Sequence, residues 1–148
     1  MDYQSRQPSY VVWHLLKVDL RMDMHKVAVI GMGYSGAILV ERLKSLTPAL
    51  QVDVYDHAGS TGSGQAYQRD NLSNLVNRPA SLMYLREYGD FKEWLRQSPV
   101  PSIKTYQPRP VFGNFIEETL KSSLRSHSAI QYHRESVIGI TNEQGGYT

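Results

Sequence analysis

An α/β fold built on a parallel sheet is predicted by three observations met in order along the chain. A short apolar run, Val27 to Ile30, feeds directly into Gly31-x-Gly33-x-x-Gly36, and an amphipathic helix pattern follows at once. A second apolar run, "QVDVYD" (Gln51 to Asp56), then ends in a carboxylate. Strand, glycine turn, helix and strand in that order make a βαβ unit, whose right-handed crossover sets the two strands side by side and parallel.

Each piece of that unit has a chemical reason. Gly31 permits a tight turn, Gly33 lets phosphates approach the backbone, and Gly36 lets the helix pack close to its strand. The helix N-terminus offers N–H groups and a partial positive charge to a dianionic pyrophosphate. Tyr34 and Ser35 lie inside this loop and count with it as cofactor-binding positions. In the crossover helix Leu39, Leu43 and Leu46 share a face, and Pro48 stops the helix. Asp56, at the tip of the second strand, can accept both ribose hydroxyls of an adenosine. It would repel a 2′-phosphate, and His57 rather than an arginine follows it, so NADP is disfavoured there. A plain turn residue is the alternative for Asp56, and the glycine loop upstream weighs against it. The predicted fold is therefore Rossmann-like and dinucleotide-binding.

The chain has 148 residues, room for one domain with a single sizeable core. With 41% hydrophobic and 20% charged residues it reads as globular rather than disordered. The net charge of +2 is small and the lysines and arginines are scattered, so nothing calls for a nucleic-acid partner. Zero cysteines exclude disulfides, Cys-based metal sites and CxxC relays, and suit a reducing cytoplasm. "SYVVWHLLKVDL" (Ser9 to Leu20) is apolar but broken by His14, Lys17 and Asp19, and is too short for a membrane span of roughly 20 apolar residues. It lacks the basic start and cleavage site of a signal peptide. Residues 1–24 are read as an N-terminal extension, or as a short amphipathic helix that docks on the domain or a partner, and residues 25–148 as the domain.

After Asp56, "HAGSTGSGQAYQRDN" is a Gly/Ser-rich loop. Gly62 and Gly64 could bring N–H groups to an anion, and a flexible connection explains them equally well. Pro79 interrupts "NLVNRPASLMYL". Asp90 with Glu93 reads as a capping box opening the helix "FKEWLRQ", whose apolar face is Phe91, Trp94 and Leu95; Trp94 reads as core. In "YQPRPVFGNFIEETLKSSL" a second helix follows a stiff turn, with Phe112, Phe115, Ile116, Leu120 and Leu124 at helical spacing. Arg109 is held between Pro108 and Pro110, a rigid support suited to a phosphate or carboxylate contact, or simply a solvated arginine. Ile130 and Tyr132 alternate with polar neighbours, Val137 to Ile140 are apolar, and a turn follows, so an antiparallel hairpin is expected to begin here. His127 and His133 lie across a helix-to-strand change, which makes a metal site improbable.

These segments, "VAVIGMGYSG", "GSGQAY", "LVNRPASLM", "DFKEWL" and "YQPRPVFGNFI", together resemble a family of FAD/NAD(P)-binding proteins. That family is related more distantly to flavin-dependent N-hydroxylating monooxygenases. The resemblance runs from Lys26 to about Gly139, and Val40 departs from it where a small residue is usual. It implies FAD in the cradle, with Gly31, Gly33 and Gly36 at the pyrophosphate and Asp56 at the ribose. It places Ala66, Tyr67, Asn77, Pro79, Met83 and Arg109 in or near the flavin cleft, with Gly64 counted beside them as a cofactor-binding position and no catalytic residue assigned. In that family a small antiparallel sheet is inserted before the parallel sheet is complete, and the nicotinamide domain lies further on. The expectation is therefore the FAD-binding N-terminal part of an NAD(P)H-linked oxidoreductase, too short to turn over alone. A non-catalytic remnant or partner-binding module, and a free-standing NAD-binding domain, are the alternatives. An unpaired edge at Val137–Ile140 would invite self-association.

Overall fold

A computed structural model of the chain describes residues 25–46, 50–57, 61–98, 104–143 and 146–147. The proposed extension, residues 1–24, and Pro48 lie outside them. Strand β1 (His25–Ile30) pairs in parallel with β2 (Leu50–Tyr55), Val27 opposite Val52 and Val29 opposite Val54, as the βαβ reading requires. Strand β3 (Ile130–His133) joins the other side of β2, also in parallel, giving the order β1-β2-β3.

Alternation along the strands sends Val29, Val52, Val54 and Ile130 to one face, where they are buried. The opposite face carries Ile30, which is 52% exposed, and the pair His133 Nε2 and Asp53 Oδ1 at 2.8 Å. Helices α1 (Tyr34–Leu43), α2 (Asp90–Gln97) and α3 (Arg109–Ser126) complete the fold, α3 packing on both of the others and on β3. The centre of the core is aromatic. Phe91 and Phe112 meet at 4.8 Å in a T-shaped pair, Phe91 and Phe115 at 5.2 Å, and Trp94 lies edge-on to Phe115 at 5.8 Å. Trp94 also donates its Nε1–H to Glu118 Oε2 at 2.8 Å, the polar handle a half-buried indole needs.

Three expectations are corrected. The buried stripe of α1 is Ala37, Val40 and Glu41, while Leu39 and Leu46 are 45% and 54% exposed. Small residues decide this: Gly36 and Ala37 let the helix close on the strand, and the neighbouring turn, Val40 included, follows them inward. The capping box does not form either. Gly89 (φ 93°) is the N-cap of α2, and the Asp90 carboxylate turns back to accept the N–H groups of Leu85 and Arg86. Glu93 instead accepts Arg96 and Gln97 on its own helix.

The third correction concerns the expected inserted hairpin. Residues 130–133 belong to the parallel sheet, because a strand that follows the 18-residue α3 returns in the direction of β2. Val137–Ile140 form no strand, and Ile138 is fully exposed. Antiparallel pairing among the described strands is confined to the two-residue segments β4 (Asn142–Glu143) and β5 (Gly146–Tyr147). Among the described residues the main sheet has two open edges, β1 and β3, each of which pairs with β2 alone.

Candidate functional site

The glycine turn leaves β1 with Gly31 at φ 90°, a conformation that disfavours any side chain. The Gly31 N–H donates to the Tyr55 carbonyl at 2.8 Å, which fixes the turn over the end of β2. The Asp56 carboxylate arrives at the same place. Its Oδ1 accepts the Met32 N–H at 3.3 Å, and its carbonyl accepts the Tyr132 hydroxyl at 3.4 Å. The acidic strand tip thus braces the loop directly, with Oδ2 left for a further partner.

Gly33 caps α1 at φ −78° and ψ −171° without a side-chain cap, so the first-turn N–H groups stay available. Gly36 answers to packing: an added Cβ would lie 2.1 Å from the Gly31 carbonyl oxygen. Gly33 does not. Its backbone suits any residue, and the nearest atom to an added Cβ is the Cα of Gly64, 3.9 Å away. Gly64 itself sits at φ 50°, on a second loop tied to the first by the Gly62 N–H and Met32 carbonyl at 2.8 Å. The two glycines therefore meet backbone to backbone, and a Cβ on Gly64 would lie 3.0 Å from the Gly33 Cα.

Both glycines line a cavity of about 650 Å³. Gly31, Gly33, Tyr34, Ser35 and Gly36 line it from the first loop, and Gly64, Ala66 and Tyr67 from the second. Eight of the expected positions are brought together. Ser63, Gln65, Leu39 and the β1 residues Ala28 to Ile30 also line it and were not foreseen, although Ser63 and Gln65 flank an expected glycine. Asp56 holds the loop through the Met32 N–H and does not itself line the cavity. Met83 is 5% exposed within the core, and Asn77 is exposed. Pro79 is half-buried and precedes a 3₁₀ turn, Ala80–Leu82. Arg109 is the first residue of α3 and donates its Nε–H to the Leu75 carbonyl at 3.3 Å.

Aromatic rings form the inner wall. Tyr34 meets Tyr67 at 5.8 Å and Phe112 at 5.5 Å, and Tyr67 meets Phe112 at 4.9 Å. Helix α3 can press on this wall because Gly113 has no Cβ to strike the Tyr67 carbonyl oxygen, which would lie 2.2 Å away. The Tyr34 hydroxyl donates to the Tyr84 carbonyl at 2.8 Å. Burial holds both phenols above the ordinary value of 10.0, with Arg109 pulling the other way at Tyr67. Both are neutral hydrogen-bonding groups at physiological pH.

A raised folded value means that their contribution to stability is whole below pH 10 and disappears as pH climbs through the raised values. We expect the melting temperature to fall as pH rises above about 10 in the native chain, and to fall less in Tyr34→Phe/Tyr67→Phe. Circular dichroism melts across that range check this; identical alkaline profiles for the two chains would refute it.

Among the described residues no group of three His, Cys, Asp or Glu could hold a metal ion, and no helix is long and apolar enough to cross a membrane. A family model described as FAD-NAD(P)-binding matches residues 28–148. A search of curated proteins found no match.

Proposed function

Because the chain belongs to the FAD-NAD(P)-binding family, we propose that residues 25–148 form the FAD-binding portion of a flavin-dependent, NAD(P)H-linked oxidoreductase or monooxygenase. The observation that carries this is Gly33. Neither its backbone angles nor any protein atom demands glycine there. A pyrophosphate pressed against the backbone at a helix N-terminus does demand it.

In this reading the first-turn N–H groups of α1 bind the pyrophosphate, with the second glycine loop, packed against Gly33, as a further part of the cavity wall. Asp56 Oδ1 stays on the Met32 N–H while Oδ2 accepts a ribose hydroxyl. Tyr34 and Tyr67 supply apolar ring surface and exclude water from that side of the cavity. The bound flavin would supply hydride or electron transfer, and the protein its position and dryness. FAD is favoured over NAD by the resemblance of the five segments in their order.

Titration of the chain with FAD, NAD and NADP tests the reading, and FAD is expected to bind tightest. Asp56→Ala should weaken FAD binding by about 1.5–3 kcal/mol, the scale of a hydrogen bond to a charged group. Tightest binding of NADP would contradict the role given to Asp56, and no binding of any dinucleotide would remove the reading altogether.

A further inference from the structure

The described helices all pack on one face of the sheet, the one that buries Val29, Val52, Val54 and Ile130. The other face has no such layer among the described residues, although a parallel sheet is ordinarily buried on both sides. A cavity of about 740 Å³ lies on it. Lys26, Ala28 and Ile30 line the cavity from β1 and Tyr55 from β2, while Val137 and Ile140 line it from the segment that follows β3. Ala28, Ile30, Val137 and Ile140 are all exposed. Towards β3 the same face turns polar, since Asp53 Oδ1 meets His133 Nε2 at 2.8 Å and Tyr55 stacks on the imidazole at 4.7 Å. The uncovered apolar ground therefore runs along β1.

The chain itself supplies a matching segment immediately upstream of that strand. Residues 1–24 lead straight into His25, and "SYVVWHLLKVDL" (Ser9 to Leu20) is the apolar part of them. Wound as a helix, it gathers Val11, Val12, Leu15 and Leu16 on one side and sets His14 and Lys17 on the other. Its length as a helix would be about 18 Å, against about 20 Å for the strand β1. The link from Arg21 to Met24 reaches at most about 14 Å, enough to climb the roughly 10 Å between packed layers. Asp19 falls on the apolar side, at the end nearest β1, where Lys26 lines the cavity. Charge and length therefore match together.

We propose that residues 9–20 form an amphipathic helix that docks on the open sheet face along β1 of the same chain. Val11, Val12, Leu15 and Leu16 turn into the cavity, and Asp19 lies beside Lys26. The short link holds the segment next to this face at a high effective concentration, which a second copy would have to match from solution. The docked helix gives the parallel sheet its second layer. Ala28 and Ile30 also line the glycine-loop cavity, so the helix flanks that site as well. Docking needs no dinucleotide, and its test runs on the flavin-free chain.

Paramagnetic broadening in the ¹⁵N-labelled full chain tests this by NMR. The sequence holds no cysteine, so a nitroxide can be attached at a single chosen place. Ile140→Cys carries it at the cavity, and Lys121→Cys carries it on α3, on the helix side of the sheet. With the first label the amide signals of residues 11–19 should show helical shifts and lose most of their intensity. With the second they should keep it. Val12→Asp/Leu15→Asp should restore the intensity under the first label and lower the melting temperature by about 5 °C or more. His14→Ser/Lys17→Ser, on the other side of the helix, should change neither. Sharp, coil-like signals for residues 9–20 under both labels would overturn the docking. So would equal broadening of ¹⁵N-labelled native chain mixed with spin-labelled, unenriched chain, which would assign the face to a second copy. Helical shifts that emerge only on addition of anionic vesicles would assign the segment to a lipid surface and overturn it too.

Discussion

Gly33→Val should lower FAD affinity by about 100-fold or more, some 3 kcal/mol, while the chain stays folded. The branched side chain would project into the cavity at the N-terminus of α1 and occupy the place of the pyrophosphate. The protein itself has little objection to a Cβ there, since φ −78° is ordinary and the nearest atom is 3.9 Å away. Two small effects on the free chain oppose each other. Fewer unfolded conformations favour folding, and loss of a preferred N-cap residue disfavours it, so Gly33→Ala should change stability by no more than about 1 kcal/mol. Flavin fluorescence titration and urea unfolding measure the two quantities separately. Gly33→Val with native FAD affinity would show that nothing presses on this backbone.

Gly36→Ala should do the reverse, damaging the fold first. Its Cβ would lie 2.1 Å from the Gly31 carbonyl oxygen, a backbone atom at the turn rather than the end of a flexible side chain. Helix α1 must then lift from the loop, and Val40, fully buried on the next turn, is drawn with it from the core. Such overpacking costs about 3 kcal/mol, and the melting temperature should drop by about 10 °C. FAD affinity should fall as a consequence, since the first turn of α1 would move with the helix. Equal thermal stability of Gly36→Ala and the native chain would contradict the packing argument. The two substitutions are three residues apart, and their expected signatures are opposite.

The βαβ unit was legible because its signals are local: a glycine turn between two apolar runs, and a carboxylate at the end of the second. What the sequence left hidden depends on distant residues. The face-to-face placement of Gly33 and Gly64 needs the Gly62–Met32 hydrogen bond, which no spacing rule announces. The stripe of α1 was misjudged because three leucines outweigh a glycine and an alanine on any hydropathy scale, whereas close approach rewards the smaller residues. Asp90 resembled an N-cap, yet the φ of 93° at Gly89 made that glycine the cap and freed the carboxylate for Leu85 and Arg86. Ile130 and Tyr132 were legible as strand residues. Their parallel partner was not, because alternation specifies a face and says nothing of the neighbour. Of the positions carried by resemblance, Ala66 and Tyr67 line the cavity beside Gly64, while Met83 packs into the core and Asn77 lies outside the wall.

The parallel order β1-β2-β3 also divides the assembly of the chain in time. Val27 reaches Val52 by closing a short stretch of polypeptide, while Val52 reaches Ile130 only after a much longer one. Loop-closure entropy makes the second pairing costlier by about 1 kcal/mol, and non-local pairings of this kind form slowly. The glycine turn, the first turn of α1 and Asp56 all sit within or just beyond the short closure. The grip on the dinucleotide can therefore exist before β3 docks, and a cofactor present during synthesis would meet its binding loop while the rest of the sheet is still unformed.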